Sequence, residues 1–308
     1  MASPAAGPAL ATRTLRALTL TPGHHPRGQA HLSAASGLVC AAGSAYVLAD
    51  DEHHLARFQG QEAPGLLSRL IEGELPDGKS ERKRRKPDFE TLCWLPGAGA
   101  QGAVLLGLGS CSRPSRRRGV VVPLSARGAP QEDHARDFDL EPLCAALEPH
   151  LDALNIEGCF CIGDRVTLLQ RGGRGSENLA LHYRLRDFLA VVEGRAGRTA
   201  PQSATAYRLG RIDGVALGFT DGAALADGRW VFTCVAEDNS DAYADGGCAG
   251  AAVGVVGADG RLQSLRRLAE PLKVEGIDAR LRAGGIDVVM VTDADDPDQP
   301  ALLVGARL

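Results

Sequence analysis

Five short segments share one pattern: a polar or acidic residue, in most of them a glycine, then small apolar residues. They read Ser36-Gly37-Leu38-Val39, Glu90-Thr91-Leu92-Cys93, Glu157-Gly158-Cys159-Phe160, Asp221-Gly222-Ala223-Ala224 and Glu275-Gly276-Ile277-Asp278. Their openings lie 54, 67, 64 and 54 residues apart. Carboxylates that such a repeat brings to one partly dry place cannot all ionise unaided. A hard cation such as Ca2+, which takes roughly six to eight oxygens, is one answer, and it makes Glu90, Glu157, Asp221 and Glu275 candidate metal ligands. Basic side chains reaching in are a second answer, with Arg113, Arg171 and Lys273 as candidates. Protons held at raised pKa are a third. A structural role, with the acids bonded to backbone N–H groups of neighbouring strands, stays open beside these.

The elements that would position these residues are short and β-rich. Residues 45–49, 103–108, 119–124, 165–169, 230–236, 251–256 and 287–292 are apolar runs punctuated by Gly, Asp and Pro, as strands joined by turns are. One stretch reads as helical: Leu140, Leu143, Leu147, Leu151 and Leu154 recur at three or four, with Pro142 to start it and Pro149 to kink or split it. Without long helices between the strands, a parallel βαβ fold is disfavoured. Each motif opens a meander of about four strands, which cannot bury both faces alone; stacking meanders in a ring solves this. The expected fold is all-β, a single five-bladed β-propeller over residues 1–308, with six blades possible if 124–156 hides strands and a sandwich as a further rival. Only 34 residues, Glu275 included, remain to the C-terminus, short for four strands. Residues 12–21, strand-like, are therefore expected to supply the outer strand of the last blade, with 1–11 loose.

In a propeller the inner strand of each blade starts at one face of the ring, and the loop between second and third strands returns to that face. The loops at 50–52, 110–118, 170–175, 237–247 and 293–298 should then meet the motif residues there. This nominates Arg113, Arg171, Asp51, Asp238 and Asp293 as ligand-binding. It also predicts a face basic on one side, from 79–86 and 113–118, and acidic on the other, from 237–245, 293–298 and 50–52. His53 and His54 lie close to the mouth and are the candidates for a general base, although adjacent histidines on a strand point to opposite faces.

The Glu-Gly-apolar openings, with Ala49-Asp50-Asp51 and Val291-Thr292-Asp293-Ala294-Asp295-Asp296-Pro297, resemble an uncharacterised proteobacterial β-propeller family. They are also similar to the esterase-like phytase and lactonase/strictosidine-synthase propellers. The likeness runs over about 33–308. It implies a propeller with Ca2+ at the channel mouth, held in the lactonase type by acidic and Asn side chains; the acids have counterparts here, the Asn set has none.

Composition bounds the remainder. Of 308 residues, 44% are apolar and 23% charged, which suits a globular chain. A net charge of -4 does not imply a nucleic-acid or membrane surface, and no stretch of about 18 apolar residues exists. The basic run at 79–86 lacks interleaved aromatics, so nucleic acid is disfavoured as a partner. Eight cysteines without CxxC or zinc spacing read as core residues. No secretion signal is legible, so a cytoplasmic location is expected. No P-loop or Gly-x-Ser-x-Gly elbow is present. The functional expectation is a soluble bacterial propeller whose mouth binds a metal or small anionic ligand. Its chemistry would be hydrolysis of an ester, lactone or phosphoester, with the metal polarising the bond or activating water. The alternative is a non-catalytic binding or scaffold propeller docking a protein partner.

Overall fold

The computed structural model describes residues 8–96, 102–172, 177–237 and 247–308. Its strands form five antiparallel sheets. Blade one holds β2 (Ala35–Ala41), β3 (Ser44–Ala49), β4 (His54–Gln59) and β5 (Leu66–Arg69). Blade two holds β6 (Phe89–Leu95), β7 (Val104–Gly109), β8 (Arg118–Pro123) and β9 (Arg136–Asp139). Blade three holds β10 (Ile156–Ile162), β11 (Arg165–Gln170), β12 (Asn178–Arg184) and β13 (Ser203–Tyr207). Blade four runs from β15 (Val215–Ala224) through β16 (Trp230–Glu237) and β17 (Cys248–Val256) to β18 (Leu262–Arg267). A two-residue strand, β14 (Arg211–Ile212), is added beside β15. Blade five contains β19 (Val274–Arg282), β20 (Gly285–Thr292) and β21 (Leu302–Arg307), with β1 (Arg13–Ala17) outermost.

β1 pairs antiparallel with β21, so the chain's first strand completes its last blade, as the short C-terminal remainder predicts. This covers the outer edge of β21 and ties the two ends of the chain into one blade, leaving the short β1 as that blade's edge. The N-terminal segment is tied down further than expected: Leu10 is buried, and its N–H donates to Arg267 O.

The core divides by interface. Five hydrophobic clusters each draw on two neighbouring blades, such as Phe160, Leu169 and Tyr207 of blade three against Phe219, Trp230 and Phe232 of blade four. The others join blades two and three, four and five, five and one, and one and two. Five interfaces among five blades make a closed ring. The stretch 124–156, which could have held a sixth blade, contains instead β9 and a helix.

Among the described residues three α-helices sit between strands: α1 (Lys79–Arg85), α2 (Glu141–Leu147) and α3 (Leu185–Val192). α2 starts with Pro142 in its first turn and stops before Pro149, so the leucine periodicity through Leu154 overstates its length. α1 falls where a polar connection was expected, and α3, whose Phe188, Val191 and Val192 are buried at i, i+3 and i+4, was not anticipated. All eight cysteines are free. Among the described residues no helix is long and apolar enough to cross a membrane.

Candidate functional site

Every inner strand carries a β-bulge, near its start in four blades and mid-strand in blade four. The strand registers shift around Ser36, Glu90, Glu157 and Thr220, and across Glu275-Gly276 in blade five. A bulge inserts one unpaired residue and re-aims its side chain. The residue after it packs close to the next blade. A Cβ on Gly37 would lie 2.6 Å from Leu92 N, and one on Gly276 2.5 Å from Ser36 O. Glycine at these positions lets adjacent inner strands approach.

The register corrects the repeat in blade four. There the bulge falls on Thr220, whose hydroxyl donates to Val274 O at 2.8 Å. Asp221 occupies the position of Gly37, Thr91 and Gly158. Its side chain is wholly buried. Gly222 N at 2.7 Å and Thr91 Oγ1 at 3.3 Å donate to its Oδ1, and Ile277 N at 3.1 Å donates to its Oδ2. Asp221 thus ties the inner strands of blades two, four and five, and burial pushes its carboxyl well above the usual range. It stands apart from the other three nominated acids.

Those three meet at one mouth. Glu157 faces Arg171 at 3.5 Å, and Arg171 reaches on to Glu237 at 2.9 Å. Asn155, just before β10, donates to the same Glu157 oxygen. Lys273 lies 2.7 Å from Asp295, 3.3 Å from Glu237, 3.7 Å from Glu275 and 3.9 Å from Asp293. Lys86 bridges Asp50 and, at 2.9 Å, Asp88; Arg116 holds the other Asp88 oxygen at 2.6 Å, where Ser110 Oγ also donates at 2.6 Å. Asp88 and Asp295 both have left-handed backbone, φ 56°, a conformation Asp tolerates and one that gathers at functional sites.

Among the described residues Glu90 has no cation within ion-pair distance. One oxygen each from Asp50, Asp88 and Glu90 lie within 4.8 Å of one another. Burial first, then repulsion from Asp88 and Glu157, pushes Glu90 far above the ordinary carboxyl range. Burial likewise raises Glu157 to about 8 and Asp293 to about 8, against the pull of Arg171 and Lys273 respectively, and Glu275 to about 7. Burial opposes the charge of Lys86 and Lys273, yet the acids around each hold both ammonium groups above their usual pKa.

The other nominated residues spread out. Arg113 is exposed and caps a short turn; Arg116, three residues on, is the one that reaches the mouth. Asp51 pairs with Arg27 at 3.2 Å and Arg82 at 3.1 Å. His53 Nδ1 lies 3.3 Å from Gly73 O, and His54 Nδ1 3.6 Å from Glu52. Both belong to a separate polar cluster in which Glu52 also faces His25 at 3.0 Å and Arg27 at 2.6 Å. Burial opposes ionisation of Glu52, but its two histidine partners and Arg27 bring its carboxyl down to about 2. Asp238 lies outside the described residues. The basic and acidic sides of the face interlock: Lys86 and Arg82 cross to Asp50 and Asp51. The 113–118 loop touches α1 directly, through Arg116 Nη2 donating to Lys83 O at 3.3 Å.

Sequence reasoning passed over Lys86, Asp88, Arg116 and Asn155 as site residues. A signal did exist. Only four of the 34 basic residues are lysines, and two of those four, Lys86 and Lys273, stand at the mouth.

No curated protein matches the sequence. Among solved structures, the α-L-arabinofuranosidase of Lactobacillus brevis is 11% identical with a TM-score of 0.49, over 89% of this chain and 90% of that one. The PQQ-bound aldose sugar dehydrogenase of Streptomyces coelicolor is 12% identical with a TM-score of 0.43, over 96% and 98%. The chain spans only 62% of the Dos1 propeller structure and 66% of the Kuenenia stuttgartiensis hydrazine synthase chain it matches. Likeness at these levels carries no activity across. The sequence profile that does match, over residues 31–308, takes in every strand but β1 and all the mouth residues, and by it the chain belongs to the family of unknown function DUF6929.

Proposed function

We propose that the channel mouth binds a hard divalent cation of the Ca2+ class through Asp50, Asp88 and Glu90, and presents it to a small anionic ligand. The observation that carries this reading is the meeting of three carboxylate oxygens within 4.8 Å of one another. The balance of charge supports it. Asp50, Asp88, Glu90, Glu157, Glu237, Glu275, Asp293 and Asp295 share Lys86, Arg116, Arg171 and Lys273, so acids outnumber cations two to one. Three carboxylates fill part of a shell of roughly six to eight oxygens, leaving positions for water or ligand. Lys86, seated on Asp50 and Asp88, withdraws when the cation enters. Glu157 and Glu275 belong to the second rank, held by Arg171 and Lys273, and Asp221 to the scaffold. A cation with open positions would suit hydrolysis of an ester, lactone or phosphoester, by polarising the bond or activating water. Eight free cysteines fit a reducing, cytoplasmic setting.

The pairs of Arg171 and Lys273 across the mouth favour a second reading, a propeller that binds or docks without catalysis. Thermal melts with Ca2+ and with chelator test the cation. A ligand at a hundredfold excess over Kd stabilises by about 2.7 kcal/mol. Glu90→Gln should lose most of that increment while still folding. A melting temperature indifferent to Ca2+, Mg2+ and chelator, in wild type and variant alike, refutes the reading.

A further inference from the structure

At the far end of the inner strands from the mouth, a cavity of about 340 Å3 lies in the seam between blades five and one. Blade five lends it Leu15 from β1, Val289 from β20 and Leu303 from β21; blade one lends Cys40, Ala45 and Phe58. All six belong to the hydrophobic cluster of this interface. Three of them, Leu15, Cys40 and Val289, are only half-buried. The core of the seam where the ring closes is therefore unfilled on this side. We propose that the cavity binds a small uncharged, largely hydrocarbon molecule, which completes the packing of blade five on blade one.

Charge decides the class. Four charged residues line the cavity, Asp278, Arg280, Arg282 and Asp287, two of each sign. All four are engaged already. Asp278 accepts from Cys40 N at 2.6 Å and from Ala279 N at 2.7 Å. Arg280 donates to Cys40 O at 2.7 Å. Asp287 pairs with Arg282 at 3.6 Å and with Arg307 at 3.0 Å. The Cys40 thiol is neutral, since burial first and Asp278 next push it up to about 12. An ionic ligand would give up its hydration and find every counter-charge spoken for. A neutral ligand has no such cost and gains from burying apolar surface against both blades. Size narrows the class further. A dry apolar cavity of about 150 Å3 holds benzene, so this one, roughly twice as large, takes a bicyclic ring or a chain of about ten carbons. The walls are built before any ligand arrives, because the bonds of Asp278 and Arg280 to the Cys40 backbone fix blade five to blade one. Such pre-organisation lowers the ordering cost of binding.

The seam shares no residue with Asp50, Asp88 and Glu90, so the inference does not rest on a cation at the mouth. Ligand-observed NMR and thermal melts of the full chain would use naphthalene, with 1-naphthoate and 1-naphthylmethylammonium as charged analogues of the same ring. Naphthalene should bind at least tenfold tighter than either analogue. It should also raise the melting temperature, as a ligand of the native state does. Filling the cavity from blade five with Val289→Phe, or from blade one with Ala45→Leu, should weaken naphthalene binding at least tenfold. Ser44→Leu fills it from a half-buried lining position and should do the same, which keeps the test open if a core variant fails to fold. A charged analogue that binds as tightly as naphthalene overturns the proposal. So does a failure of naphthalene to bind, or binding that every folded variant leaves intact.

Discussion

Replacing Asp221 with alanine tests whether a buried carboxylate holds the ring together. The substitution strips the acceptor from two buried amides, Gly222 N–H and Ile277 N–H, and from the Thr91 hydroxyl. The hydroxyl can rotate to another acceptor; the amides are fixed by their strands. Each orphaned buried donor costs about 1–3 kcal/mol, so the two together cost about 2–6 kcal/mol. Unfolding entropy of about 2.1 cal/mol/K per residue makes 1 kcal/mol worth about 1.5 °C in a chain of this length, so the expected fall is about 3–9 °C. Water entering the space left behind would bring the loss toward the lower figure. The assay is a thermal melt followed by circular dichroism, with and without Ca2+. A metal ligand at this position would also abolish any Ca2+-dependent rise, whereas a strand tie leaves that rise intact on a lower baseline. A melting temperature within about 1 °C of wild type would refute the tie, because no rearrangement can re-satisfy two buried amides at no cost.

Two further outcomes follow from the same geometry. Gly276→Ala drives a Cβ to 2.5 Å from Ser36 O, a backbone atom that cannot swing aside. Overpacking of this kind costs about 3 kcal/mol, or about 4–5 °C here, while Gly78→Ala, with open space around its Cβ, should be neutral; equal melting temperatures for the two would count against close inner-strand packing. The mouth acids set the pH dependence. Glu157 and Asp293 titrate at about 8 and Glu275 at about 7 in the fold, against roughly 4 in the unfolded chain. The unfolded state therefore releases these protons first, and stability falls as pH rises from about 5 to 8. Glu52, brought down to about 2, has the opposite sign but is constant over that window. Scanning fluorimetry from pH 4.5 to 8.5 should show this decline, shallower in Glu157→Gln; a melting temperature that climbs between pH 5 and 8 would contradict it.

The ring was legible in the sequence because it is written in a repeat. Turn residues and apolar runs recur once per blade, and the short remainder after Glu275 asks for a strand from elsewhere, which β1 supplies. The register inside the repeat was not legible. Asp221-Gly222 imitates the Glu-Gly opening by residue type, yet a bulge is a backbone hydrogen-bonding choice with no residue signature, and it falls one position earlier, on Thr220. That slip turns a residue assigned to the mouth into one buried against the neighbouring strands. α1 was hidden for a different reason. Its sequence, KSERKRR, has no apolar stripe, because the face it turns inward meets a charged cavity instead of a core.

Charge pairing across blades was the least legible layer, and it decides what the mouth can do. Lys86 and Asp50 are 36 residues apart, and Arg171 and Glu237 are 66 apart. Nothing local links them; only ring closure brings them together. The sequence shows a basic segment and acidic loops, from which two separate patches follow. In the fold the basic helix leans over the acidic loops of blades one and five, so opposite charges face each other across about 120 Å3. A surface of separated patches selects large partners by long-range attraction, which salt screens within about 10 Å at 0.1 M. A cleft with opposed walls selects small ligands at short range, where screening is weak.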